Sequence, residues 1–219
     1  TWRGMEMGIV LILFSSFFKI YRNGFKNILS PVGLYIIITQ IISSFFFTYG
    51  IAETSVSLIL FCLATSPIFA SLFSIFILNE KTTKATWITA FFALIGVGVS
   101  VIHGNDVINA PQGNVLVGAI CGISASASLG LSLVLLRLKP NIPAMTITGI
   151  SALGNGVIAF LFVAPNLLFE GDIVSISFSG LVILPISFAC LTFATRYTQA
   201  SNIGLLMLLE TALGPFWVW

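Results

Sequence analysis

Charge is what this sequence has least of. Only 7% of its 219 residues are Asp, Glu, Lys or Arg, against about 25% in a soluble domain, and a chain so poor in charge would not stay dispersed in water. The net charge of +2 and the scatter of the basic residues argue against a nucleic-acid partner. Histidine is represented by His103 alone. With no His, Cys or carboxylate at ligand spacing, it reads as an interfacial residue rather than a metal ligand. Cysteine is scarce too: Cys62, Cys121 and Cys190 stand far apart inside apolar runs, where thiols act as small buried hydrophobes rather than disulfides or metal ligands. No G-x-x-x-x-G-K-[ST] loop is present, which excludes ATP hydrolysis. No H-E-x-x-H, no G-x-S-x-G and no pair of intramembrane carboxylates offers hydrolytic chemistry. No catalytic residue, cofactor or metal is therefore assigned.

What the sequence has in abundance is apolar residues, 58% of the total, with a mean hydropathy of +1.10. A spanning helix needs about 20 mainly apolar residues. Eight segments approach that length, at 4–18, 32–51, 55–78, 86–103, 115–136, 144–168, 176–194 and 202–219. Barrel strands run to about 10 residues of alternating polarity, whereas these runs are longer and apolar throughout, so the expectation is an all-α polytopic membrane protein. The loops are brief, so neighbouring helices pack antiparallel and no soluble domain fits between them. Alternate loops carry Lys19, Arg22 and Lys26, then Lys81 and Lys84, then Arg137 and Lys139, then Arg196, and only Arg3 lies opposite. The positive-inside rule makes those loops cytoplasmic, in a plasma (inner) membrane. The chain opens TWRGME without Met, and its first and last segments are short, as in a fragment of a longer protein.

Four small residues, Gly118, Gly122, Ser126 and Gly130, recur every four positions within 115–136. Such a stripe lets a second helix backbone approach closely, and its reading is packing.

Residues 52–67, AETSVSLILFCLATSP, and 198–215, TQASNIGLLMLLETALGP, share an order of features: a Thr-Ser or Ala-Ser pair, an apolar run and a late proline. Ser55 and Ser201 are 146 residues apart, the length of five span-plus-loop units. An odd number of spans inverts the second copy, the pattern of inverted-topology repeats in secondary transporters. At these residues the chain resembles the EamA-type branch of the drug/metabolite transporter superfamily. The resemblance rests on Thr54-Ser55, Pro67, the Asn79-Glu80 helix end and Gly96-Val97-Gly98 in the first half, and on ASNIGLLMLLE in the second. It implies ten helices in two inverted five-helix repeats, of which the eight visible spans would be helices two to nine. Residues 1–103 would then form the first repeat and 104–219 the second, with the first and tenth helices missing. Family members often place a proline directly after the ninth-helix glutamate, whereas Pro215 follows Glu210 by five residues.

Glu210 lies about eight residues, or about 12 Å, into the last run, and is the one acid of seven placed deep in a span. Charge at that depth costs several kcal/mol, so it reads as a dock for a cationic group, as a proton-coupling site, or as a neutral acid bonded to a neighbouring carbonyl. Gln40 shares a helical face with Gly33, Ile37, Ser44 and Phe47. That face suits a wet cavity or an interhelical hydrogen bond worth about 0.6 kcal/mol. Thr65-Ser66-Pro67 and Gly214-Pro215 mark kinks, either gates with freed carbonyls beside hydroxyls or passive bends. Ser124, with Ser126, Ser128, Asn155 and Ser187, is a further lining candidate, although such hydroxyls usually bond their own backbone. The expected function is a secondary transporter that moves a small organic metabolite by alternating access, driven by protons or by the substrate gradient. The resemblance implies amino acids, amines or related solutes. The alternative is a non-transporting membrane scaffold or an intramembrane enzyme.

Overall fold

The structure, a computed structural model, describes residues 2–17, 28–79, 114–162 and 173–200, with further single residues between 84 and 95 and between 202 and 207. Among these residues every regular element is helical. In chain order they are α1 (Trp2–Phe17), α2 (Pro31–Glu53), α3 (Val56–Leu63), α4 (Ser66–Phe73) and a π-helical turn, Ser74–Leu78. Then come α5 (Val115–Leu138), α6 (Ala144–Phe162), α7 (Ile173–Phe178), a second π-helical turn at Ser179–Ile183, and α8 (Leu184–Tyr197).

Five helical stretches are long and apolar enough to cross a bilayer: Pro31–Glu53, Leu58–Leu78, Leu116–Leu138, Ala144–Leu161 and Val174–Tyr197. The 23 residues of α2 extend about 35 Å at 1.5 Å per residue, enough for a hydrocarbon layer about 30 Å thick. Five of the expected spans fall on these stretches, and α1 covers the run at 4–18. The runs at 86–103 and 202–219 lie largely outside the described residues.

Burial confirms lipid as the solvent. Leu161, Val174 and Phe76 are 75%, 77% and 73% exposed, while Ser126, Ser132 and Thr195 are almost wholly buried. Water would penalise that distribution, whereas a bilayer rewards it. With no water to serve them, the hydroxyls turn to backbone carbonyls: Thr39 donates to Tyr35 at 2.9 Å, Ser151 to Ile147 at 2.9 Å and Thr195 to Thr192 at 2.7 Å. The chain is an integral multi-pass membrane protein.

The residues pack as two compact units, Thr1–Ile41 with Lys139–Tyr197, and Ile42–Leu138 with Thr198–Trp219, the division falling inside α2. In the first unit α1 packs against α6 and against the helix that begins at Ile173. Glycines set the first of these contacts. A Cβ on Gly8 would lie 2.8 Å from the Gly149 carbonyl and 2.5 Å from Leu153 Cγ, and one on Gly156 would lie 2.9 Å from the Met5 nitrogen. Backbone therefore meets backbone, where dispersion replaces a hydrophobic driving force that lipid cannot supply.

In the second unit α5 packs against α3 and α4 through the small-residue stripe seen in the sequence. A Cβ on Gly118 would collide with Thr54, one on Gly122 with Cys62, and one on Gly130 with Ala70. The run at 55–78 is not one smooth helix. Ser55, in extended backbone, caps α3 by accepting from the Leu58 N–H. The helix ends at Leu63 and restarts at Ser66, with Pro67 in the first turn of α4, where a missing N–H is harmless. It stops at Asn79, whose left-handed φ of 53° lets its N–H close back on the Ser74 carbonyl. This is the helix end expected at Asn79-Glu80, and Glu80 itself lies outside the described residues.

The first unit's contact predicts that Gly8→Val lowers stability by about 1–3 kcal/mol through overpacking, read as an earlier thermal midpoint in detergent. Ile9→Val, at a half-exposed neighbour, should leave the midpoint unmoved. Equal midpoints for Gly8→Val and the wild type would refute the close approach.

Candidate functional site

A lipid-facing chain should leave no polar side chain without a partner. Among the described residues two buried side-chain atoms break that rule, Glu6 Oε2 and Gln40 Oε1. Both belong to the first unit, and both are oxygens that accept hydrogen bonds.

Gln40 sits on α2 beside the inward stripe of Gly33, Ile36, Thr39 and Ser43. Its Nε2 donates to Thr148 Oγ1 of α6 at 3.4 Å, a long bond to a hydroxyl that is itself 4% exposed. One pole of the amide therefore ties α2 to α6, while its carbonyl oxygen is left over. Of the face expected with it, Ile37, Ser44 and Phe47 are half-buried, and Phe45 points outward and stacks on Tyr49 at 6.2 Å.

Glu6 is the acid that sequence reasoning missed, because it lies near the edge of an otherwise apolar run and only Glu210 had been placed deep. The signal was there in Gly4-Met5-Glu6-Met7-Gly8. Gly4 and Gly8 share a helix face, and Glu6, two residues on, lies about 200° around the helix at 3.6 residues per turn. If the glycines face one helix, the carboxylate must face another. That is what the structure shows: the glycines meet α6, and Glu6 Oε1 accepts a hydrogen bond from Ser177 Oγ at 2.8 Å. Glu6 Oε2 lies over Gly180, where a Cβ would collide with it. Gly180 is buried in the π-helical turn, in which the Leu184 N–H bonds the Ser179 carbonyl. The extra residue of a π turn shifts the helix register, and here it aligns with the carboxylate.

Thr65, Ser66 and Pro67 occupy the break between α3 and α4. Thr65 Oγ1 donates to the Cys62 carbonyl at 2.6 Å and lies 2.8 Å from Ser126 Oγ, so the two hydroxyls form a closed clasp to α5. Ser66 is 3% exposed and packs beside Gly130. Ser124 is half-buried on α5, Asn155 half-buried on α6 and Ser187 exposed on α8. Glu210, Gly214 and Pro215 lie outside the described residues. One expectation is corrected: Cys62 and Cys121 are buried, but Cys190 is exposed, because it falls on the lipid-facing side of α8 rather than in a core. Among the described residues no group of His, Cys, Asp and Glu could hold a metal.

Residues 1–102 match the family model described as the EamA-like transporter family. That stretch takes in α1 to α4, and with them Glu6, Gln40 and the Thr65–Pro67 break. No curated protein matches the chain.

The Glu6 seat yields a coupled prediction. Gly180→Ala drives a methyl into Oε2 and should destabilise by about 1–3 kcal/mol. In a Glu6→Ala background the same substitution should cost less, the crowding that remains coming from the Arg3 Cα and the residue-6 Cβ at 3.2 Å. Thermal unfolding of the four proteins closes the cycle, and additive effects would show that the two residues do not touch.

Proposed function

We propose that this chain, EamA-like over its first 102 residues, is a secondary transporter that moves a small organic metabolite across the membrane by alternating access. The matched family is one of transporters rather than enzymes, and the apolar helices supply the bilayer setting. The observation that carries the reading is the Gln40 carbonyl, buried and unpartnered on a spanning helix. An amide there is tolerated when a passing solute supplies the missing donor, and solutes of the expected classes, amino acids and amines, bring N–H groups. Glu210 is proposed as a second polar contact or as the coupling residue, with Ser124, Thr65 and Ser66 as lining residues. Pro67 and Gly214-Pro215 are the proposed gates. The inverted repeats 1–103 and 104–219 are proposed as the two halves that exchange access, and the Lys19, Lys81, Arg137 and Arg196 loops as cytoplasmic.

Flux into proteoliposomes of the full-length protein, measured over a panel of radiolabelled amino acids and amines, tests this. One hydrogen bond to substrate is worth about 1–1.5 kcal/mol, so Gln40→Leu should raise the half-saturating concentration about tenfold. Glu210→Gln should abolish any dependence of flux on a proton gradient. No flux of any probe by the wild type would favour a scaffold, and an unchanged half-saturation in Gln40→Leu would remove Gln40 from the path.

A further inference from the structure

We propose that the C-terminal end of α2 is a seat for a lipid whose head carries an ammonium group, with Phe45, Tyr49 and Glu53 as its contacts. Two faces of α2 part company here. The inward face meets α5, where Ser43 donates to the Ala125 carbonyl at 2.9 Å and a Cβ on Gly50 would lie 3.3 Å from Cys121 Cβ. The outward face carries Ile42, Phe45 and Tyr49, which are 37%, 37% and 44% exposed and follow one another at helical spacing. Glu53 comes four residues after Tyr49. The surface therefore runs from aliphatic to aromatic to acidic over about 17 Å of helix.

The acid and the rings are held together. The Tyr49 hydroxyl donates to the Glu53 carboxylate, and the Tyr49 ring stacks on Phe45 with centroids 6.2 Å apart and planes 4° from parallel. A carboxylate has about four acceptor positions, and the phenol takes one. No cation among the described helices of this unit answers the charge. α3 and α4 contain no charged residue. α5 meets this end of α2 at Gly118, beside Thr54, and keeps its one charge, Arg137, in its last turn at the far end.

Placement selects the occupant. The 23 residues of α2 extend about 35 Å against about 30 Å of hydrocarbon, so Glu53, its last residue, stands at head-group level. Tyr49, about 6 Å below it, falls at the boundary that tyrosine favours. An ammonium group donates hydrogen bonds to the carboxylate and lies against the ring faces as a cation. An anionic head without a cation is repelled. The acyl chains below such a head run down the outward stripe past Phe45 and Ile42, a contact that a small water-borne amine lacks. The seat does not depend on the transporter reading.

Native mass spectrometry of the full-length protein in detergent, titrated with single lipids, tests this. The wild type should hold phosphatidylethanolamine more tightly than phosphatidylcholine, whose head has no N–H to donate, and phosphatidylcholine more tightly than phosphatidylglycerol. Glu53→Gln should weaken phosphatidylethanolamine binding about fivefold and leave phosphatidylglycerol unweakened. Tyr49→Leu, which removes the ring, should weaken it about threefold, and keeps the test open should Glu53→Gln fail to fold. Equal retention of the three lipids, or a preference that survives both substitutions, overturns the proposal. Free ethanolamine displacing the lipid at equal concentration would give the seat to a water-borne cation and overturn it too.

Discussion

Every polar group in this chain must find its partner inside the protein, because the surrounding lipid offers none. The rest of the structure follows from that constraint. Backbone groups are served within helices, so among the described residues helices are the only regular elements. Serine and threonine hydroxyls return to carbonyls of their own helix, as at Ser15, Thr39 and Thr192. Where a hydroxyl reaches across, it lands on another helix's spare acceptor, as Ser43 does on the Ala125 carbonyl at 2.9 Å.

The same constraint explains the glycines. Helices in lipid gain little from hiding apolar side chains, because the tails are equally apolar. Association then depends on how closely backbones approach. Gly4, Gly8, Gly149 and Gly156 in the first unit, and Gly118, Gly122 and Gly130 in the second, each sit where a Cβ would crowd or collide with its neighbour. Gly180 is of the same kind but serves a different end, making room for a carboxylate rather than for a backbone.

Much of this was legible in the sequence because it is periodic. The apolar runs located the spans, and the four-residue spacing of Gly118 to Gly130 named the face of α5 that packs. Thr54-Ser55 and Asn79 marked the ends of the 55–78 helix because capping and left-handed backbone are local properties. What depends on three-dimensional neighbours was not legible. That Thr65 closes on Ser126, or that Gln40 reaches Thr148, requires knowing which helices touch. The Glu6 seat was hidden for a further reason. Its two halves, Glu6 and Ser177 with Gly180, stand more than 170 residues apart in sequence, and a single acid near the end of an apolar run looks like an interfacial charge. The π-helical turns leave no sequence pattern of their own, since a one-residue register shift in an apolar helix alters no periodicity a reader can count.

The contrast between the Thr65–Ser126 clasp and the Glu6 seat shows why polar residues inside the same chain differ in how fully their hydrogen bonding is met. A hydroxyl both donates and accepts, so Ser126, Thr65 and the Cys62 carbonyl form a chain of bonds that ends on a backbone oxygen and needs nothing else. Such a network fixes two helices and is complete. A carboxylate only accepts, and Gln40, its amide nitrogen already given to Thr148, has only an acceptor left. Two acceptors cannot satisfy each other, and neither Glu6 Oε2 nor Gln40 Oε1 has a hydrogen-bond partner among the described residues. The clasp is thus closed by its own members, whereas each of these two oxygens leaves an accepting position open.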